Sequence, residues 1–129
     1  MSTIEPSLAG KRCLVLDDEF LIALDIQQIL EAAGAGSVTC FGTAEECLTA
    51  LQAGEQFDMA ILDYKLGDGG GNSLSVAAVL RGGRTPIVFV TGMRARDIRS
   101  NEFPGTPVIE KPYEAPLLLD AVQRALRAS

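Results

Sequence analysis

Along this chain, short runs of continuous apolar residues alternate with longer stretches in which apolar residues recur every three or four positions. Arg12 to Leu16 (Arg-Cys-Leu-Val-Leu) is apolar after its first residue and ends at acids, the pattern of a strand buried on both faces. Glu19 to Ala33 then sets Ile22, Ile26, Ile29 and Ala33 at helical spacing and stops at Gly34, a residue suited to ending a helix. Ser37 to Phe41 repeats the strand signal. Thr43 is placed to cap a helix running through Ala53, with Glu46 completing a capping box and Gly54 ending the element. Phe57 to Leu62 predicts a third strand, again terminating in an acid, Asp63.

The run Gly67 to Gly71 (Gly-Asp-Gly-Gly-Gly) predicts a loop, and Asn72 or Ser73 can cap a helix that ends near Gly82-Gly83. Pro86 to Val90 predicts a fourth strand. Arg94 to Ser100 is weakly amphipathic, which predicts a short or mobile helix. Thr106 to Ile109 predicts a fifth strand, and Glu114 to Ala128 a last helix with Leu117, Val122, Ala125 and Leu126 available for burial. Strict alternation of strand and helix requires crossovers between parallel strands, so the expected fold class is α/β: a doubly wound five-stranded parallel sheet with helices on both faces. Residues 1–9 read as a polar tail and 10–129 as one domain, in keeping with a length of 129 residues.

Composition narrows the function. A formal net charge of -6 opposes general binding to nucleic acid or to an anionic membrane surface. No apolar run approaches the ~20 residues of a membrane span and no secretory signal opens the chain, so a cytoplasmic location is expected. Cys13, Cys40 and Cys47 form no CxxC pair and read as buried thiols. The chain has no His, which excludes a Ser/His/Asp triad and a phosphohistidine of its own. Any histidine chemistry must come from a partner.

In doubly wound sheets, functional groups gather beyond the carboxyl ends of the strands. Those ends carry Asp17 and Asp18 after the first strand, Asp63 after the third, Thr91 after the fourth and Lys111 after the fifth. Each has a plainer reading: the acid pair as helix caps, Thr91 as a turn hydroxyl, Lys111 as a surface lysine. Together they make a site. Carboxylates within a few ångströms of one another repel by roughly 3 to 4 kcal/mol per close pair at an effective dielectric near ~20. Lys111 offsets part of this, and a hard divalent ion, Mg²⁺ rather than Ca²⁺, is expected to offset the rest. The expected ligands are Asp18 and Asp63 directly, Asp17 through water, and the backbone carbonyl of Lys65. At such a site Asp63 can attack phosphorus, with Lys111 and the metal neutralising the equatorial oxygens and Thr91 donating a hydrogen bond. An X-Pro bond at Lys111-Pro112 can be cis, which would aim the lysine inward.

These residues resemble the CheY-like receiver family: Leu-Val-Leu-Asp17-Asp18-Glu19 at the first strand, Ile-Leu-Asp63-Tyr-Lys-Leu at the third, Val-Thr91-Gly92 at the fourth and Glu-Lys111-Pro112-Tyr113 at the fifth. The resemblance covers about residues 10 to 128 and implies a flavodoxin-like strand order of 2-1-3-4-5. It implies a phosphohistidine on a histidine kinase or histidine phosphotransfer protein as donor, Asp63 as acceptor, and self-catalysed phosphorylation and dephosphorylation. The signal would pass to a downstream protein through the surface of the fourth helix, fifth strand and fifth helix. Val108 stands where the family commonly has an aromatic switch residue. Pro86-Ile-Val-Phe89-Val-Thr91-Gly92 partly resembles the FATGUY subgroup, which lacks that aromatic. With no residues after Ser129 in this sequence for an effector domain, the expected output is a protein contact, a phosphate-sink role, or an output domain of a longer protein of which this chain is a piece. Two other readings stand beside this one. A phosphorylation-independent interaction module is disfavoured by the complete set of acids and lysine, and a nucleotide enzyme by the lack of a Walker lysine in the Gly-rich loop.

Overall fold

The computed structural model describes residues 8–67, 69–92 and 105–128. Five strands, β1 (Arg12–Leu16), β2 (Ser37–Phe41), β3 (Met59–Asp63), β4 (Ile87–Thr91) and β5 (Val108–Glu110), form one sheet in the order β2-β1-β3-β4-β5. All four neighbouring pairs run parallel. The described helices are α1 (Phe20–Ala32), α2 (Ala44–Gln52), α3 (Ser73–Gly82) and α4 (Ala115–Ala128). The doubly wound expectation and its strand order hold. The weak helix expected at Arg94 to Ser100 lies outside the described residues, as does most of the segment between Gly92 and Gly105.

Alternation along the strands builds two interiors, one on each face of the sheet. Cys13 and Val15 of β1, Met59 and Ile61 of β3, and Val88 and Val90 of β4 face α1 and α4. Their neighbours Leu14, Leu16, Ala60, Leu62, Ile87 and Phe89 face α2 and α3. Because both faces are covered, β1, β3 and β4 read as unbroken apolar runs. The helices contribute narrower stripes than their sequences suggest. In α1 the buried positions are Ala23, Ile26 and Leu30, with Ile22 and Ile29 at the edge and Ala33 exposed. In α4 they are Leu118, Ala121, Val122 and Ala125; Leu117, expected inside, is 48% exposed because the buried stripe runs through its neighbour. Leu8 and Ala9, which sequence assigned to the tail, pack on the domain: Leu8 is buried and Ala9 pairs with Ala35.

Local signals end most elements where the sequence places them. Thr43 Oγ1 accepts from the Glu46 N–H at 3.1 Å and Asn72 Oδ1 from the Leu74 N–H at 2.8 Å, satisfying amides left open at the starts of α2 and α3. The glycine after α1, Gly34, has φ +104°, a backbone state that favours glycine. Strand ends are less well read. β3 reaches Asp63 itself and β4 reaches Thr91, one residue beyond their expected limits, so both polar groups belong to the sheet rather than to the loops.

Candidate functional site

Four parallel strands end side by side, and their last residues converge. Asp17 follows β1 and is buried, although it is charged; its backbone N–H donates to the Phe41 carbonyl at 3.1 Å, continuing the β1–β2 ladder by one step. Its Oδ1 accepts from the Glu19 N–H at 2.9 Å and its Oδ2 from Lys111 Nζ at 3.2 Å. The Glu19 bond closes a turn two residues long ahead of α1, whose N-cap is Glu19 with no side-chain cap, so the helix-capping reading of Asp17 does not hold, while its other oxygen meets Lys111. Asp63, also buried, accepts from Lys111 Nζ at 3.3 Å on Oδ2 and from the Lys65 N–H at 3.3 Å on Oδ1. Asp18 is exposed and accepts from the Gly67 N–H at 2.8 Å. Thr91 is buried at the end of β4, and its carbonyl accepts from the Lys111 N–H at 2.7 Å.

Lys111 is not a surface lysine. Its side chain is only 15% exposed, and Nζ lies within ion-pair distance of Asp17, Asp63 and, at 3.7 Å, Glu19. The Lys111-Pro112 bond is cis. Burial works against the ammonium charge, but the two buried aspartates outweigh it and hold the Lys111 pKa above the ordinary lysine value. Burial first, and the Asp17 charge second, push Asp63 up to about 6, against the opposing pull of Lys111. One ammonium thus faces more negative charge than it can neutralise.

Oxygens of Asp17, Asp18 and Asp63 lie within 4.8 Å of one another, the only such group of potential metal ligands among the described residues. Carboxylate oxygens in that arrangement, with excess negative charge, are a donor set for a hard divalent cation. The residues fit Mg²⁺. Lys65 sits two residues past Asp63, with its N–H on the Asp63 carboxylate.

Asp17, Asp18, Asp63, Thr91 and Lys111 are thus brought to one end of the sheet. Sequence reasoning missed two contributors. Glu19 adds a further carboxylate near Lys111, a role that its place directly after two acids could have suggested. Gly67 donates to Asp18 across a separation of 49 residues, for which local sequence gives no signal. The three thiols also divide. Cys13 and Cys47 are buried, but Cys40, expected inside, is exposed on the edge strand β2, where its thiol donates to the Ala23 carbonyl at 3.8 Å and to Gln27 Oε1 at 3.6 Å.

No helix among the described residues is long and apolar enough to cross a membrane. Among proteins of known kind, the family model described as the response regulator receiver domain matches residues 13–123. The phyllosphere-induced regulator PhyR of Methylorubrum extorquens is 23% identical over 113 residues, which cover 88% of this chain and 42% of PhyR. The chain therefore spans less than half of that relative. A crystal structure of a response regulator receiver protein from Sinorhizobium medicae WSM419 is 30% identical, with a TM-score of 0.82 over 95% of this chain and 98% of that one. The solution structure of SdrG from Sphingomonas melonis Fr1 is 29% identical, with a TM-score of 0.72 over 94% of this chain and 99% of SdrG. By the family match over most of its length and the shared five-stranded fold, this chain belongs to the receiver domains of two-component response regulators.

Proposed function

We propose that this receiver domain accepts a phosphoryl group on Asp63 from a phosphohistidine of a histidine kinase or histidine phosphotransfer protein, with Mg²⁺ as cofactor. The observation that carries the proposal is the position of Lys111 Nζ, 3.2 Å from Asp17 and 3.3 Å from Asp63 at the open ends of β1 and β3. A carboxylate oxygen of Asp63 attacks phosphorus, the phosphorus–nitrogen bond of the donor breaks with its electrons returning to the imidazole, and an acyl phosphate forms on Asp63.

The chain's own residues prepare this step. Lys111 holds the nucleophile by one oxygen and is positioned to neutralise the phosphoryl oxygens as charge moves onto them. The Lys65 N–H engages the other carboxylate oxygen of Asp63. Thr91, at the end of the neighbouring strand, supplies a hydroxyl toward the phosphoryl group. Asp18 and Asp63 would hold the ion directly, Asp17 through water and Lys65 through its carbonyl; when bound, Mg²⁺ supplies positive charge to the equatorial oxygens and lowers the Asp63 pKa. Acceptance would then change a surface recognised by a downstream protein.

Incubation with a labelled acyl phosphate donor tests the proposal. The expected result is Mg²⁺-dependent labelling that is lost in Asp63→Asn. Labelling that persists in folded Asp63→Asn, or that ignores chelator, would overturn it. Beryllofluoride should likewise perturb the protein only when Mg²⁺ is present.

A further inference from the structure

Residue 67 is not glycine for the sake of its backbone. Six other glycines of the chain have positive φ, but Gly67 does not, so an L-residue could adopt its conformation. What a side chain there would disturb is the position of Asp18. A Cβ at Gly67 would lie 2.5 Å from Asp18 Oδ2, a separation that real Cβ atoms do not adopt. The same oxygen accepts the Gly67 N–H at 2.8 Å. Asp18 makes no ion pair among the described residues, although Asp17 and Asp63 both pair with Lys111.

The amide is itself held in place. Leu66 is buried beneath the loop, and the Gly67 carbonyl accepts from the Gly70 N–H at 2.9 Å. The Gly70 carbonyl in turn accepts from the Ala44 N–H at 2.7 Å, tying the loop to the start of α2. At the other end Ser73 Oγ donates to the Tyr64 carbonyl at 2.6 Å. These bonds anchor the chain on both sides of the Gly67 N–H.

We infer that Gly67 is a positioning residue for the metal site: its N–H orients the exposed Asp18 carboxylate toward the buried pair, and its missing side chain makes the approach possible. The inference rests on the proposed Mg²⁺ reading. Hydrogen bonds of this kind to a ligating carboxylate typically change metal affinity by about 10- to 100-fold when removed. Gly67→Ala must push Asp18 aside, so its Mg²⁺ affinity should fall by at least about tenfold, with the fold intact.

Calorimetric Mg²⁺ titration of wild type, Gly67→Ala, Asp18→Ala and the double variant is the test. Gly67→Ala should weaken binding in the wild-type background and have no further effect once Asp18 is alanine, a pattern that general loosening of the loop would not give. Equal affinity in wild type and Gly67→Ala, or an equal loss in both backgrounds, would overturn the inference alone. A folded wild type that binds no Mg²⁺ would overturn the metal reading and this inference with it. If Gly67→Ala fails to fold, amide NMR of the metal-free protein reads the bond without touching residue 67. Asp18→Ala should shift the Gly67 amide proton upfield and speed its exchange, and an unmoved resonance would count against the contact.

Discussion

Tyr64 and Phe89 meet edge to face, with ring centroids 5.5 Å apart and planes at 84°. Tyr64 directly follows Asp63, and Phe89 lies two residues before Thr91 on the same face of β4, so this aromatic pair spans the strands that carry the Asp63 carboxylate and Thr91. Val108, at the position that commonly holds an aromatic switch, is half-buried against the same interior. In a double-mutant cycle with Tyr64→Leu and Phe89→Leu, denaturant unfolding should give a coupling of about 0.5 to 1.5 kcal/mol. Additive losses would mean that the rings merely share a neighbourhood.

Asp63→Asn should stabilise the metal-free protein, and the gain should depend on pH. The folded-state pKa of Asp63 is raised from 3.8 to about 6, so the folded protein binds more protons than the unfolded chain between those values. Stability from this group is therefore present at low pH and is lost as pH rises toward 6. In chelator, the advantage of the variant should be small near pH 4, grow with pH, and level off above about 6 at roughly 2 to 3 kcal/mol. Saturating Mg²⁺ should reduce it. Thermal melts across pH check the sign, and an advantage that shrinks with rising pH would contradict the cause given for the shift.

Asp17 and Asp18 should separate stability from metal binding. Asp17→Ala removes the acceptor for the Glu19 N–H, whereas Asp17→Asn keeps a side-chain oxygen there, so the alanine variant should be less stable by about 1 kcal/mol. Asp18→Ala should cost little stability but weaken Mg²⁺ binding more than either change at Asp17. Melting and titration of the same variants test both orders.

The thiols provide a check on the sheet's edge. Burial pushes Cys13 up to about 11 and Cys47 up to about 12, and both side chains are shielded, so neither should react with a disulfide reagent at pH 8 in the native state. Cys40 is raised as well, first by the partial burial of its thiol against α1 and second by Glu31, but the residue is open to solvent and should react slowly. One thiol should therefore titrate before denaturation and all three after it. Replacing Cys40 with Ser should abolish the native reaction.

Much of the fold was legible because the doubly covered strands leave no ambiguity: Leu14 and Val15 must both be buried, though on opposite faces. The end-of-strand acids were legible for the same reason, since a charge that follows directly on such a run lies at the sheet's rim. What sequence misjudged was finer. Helical spacing gives Leu117 and Leu118 almost equal claims to burial, and only the packing of α4 on the sheet selects Leu118. Cys40 occupies an edge strand, where one neighbour is missing and alternation no longer implies cover on both sides. The Gly67 contact was hidden because composition marks a loop without saying which amide faces which carboxylate.

The two interiors also constrain how the molecule can fail. In β3, Ile61 and Leu62 serve opposite sides of the sheet, so a slip of one residue would drive each into the wrong interior and turn the Asp63 carboxylate away from Lys111. A wrongly threaded molecule would lose its packing and its Asp63–Lys111 pair in one step. The register of β3 therefore settles together which side chains fill each interior and which carboxylate meets Lys111.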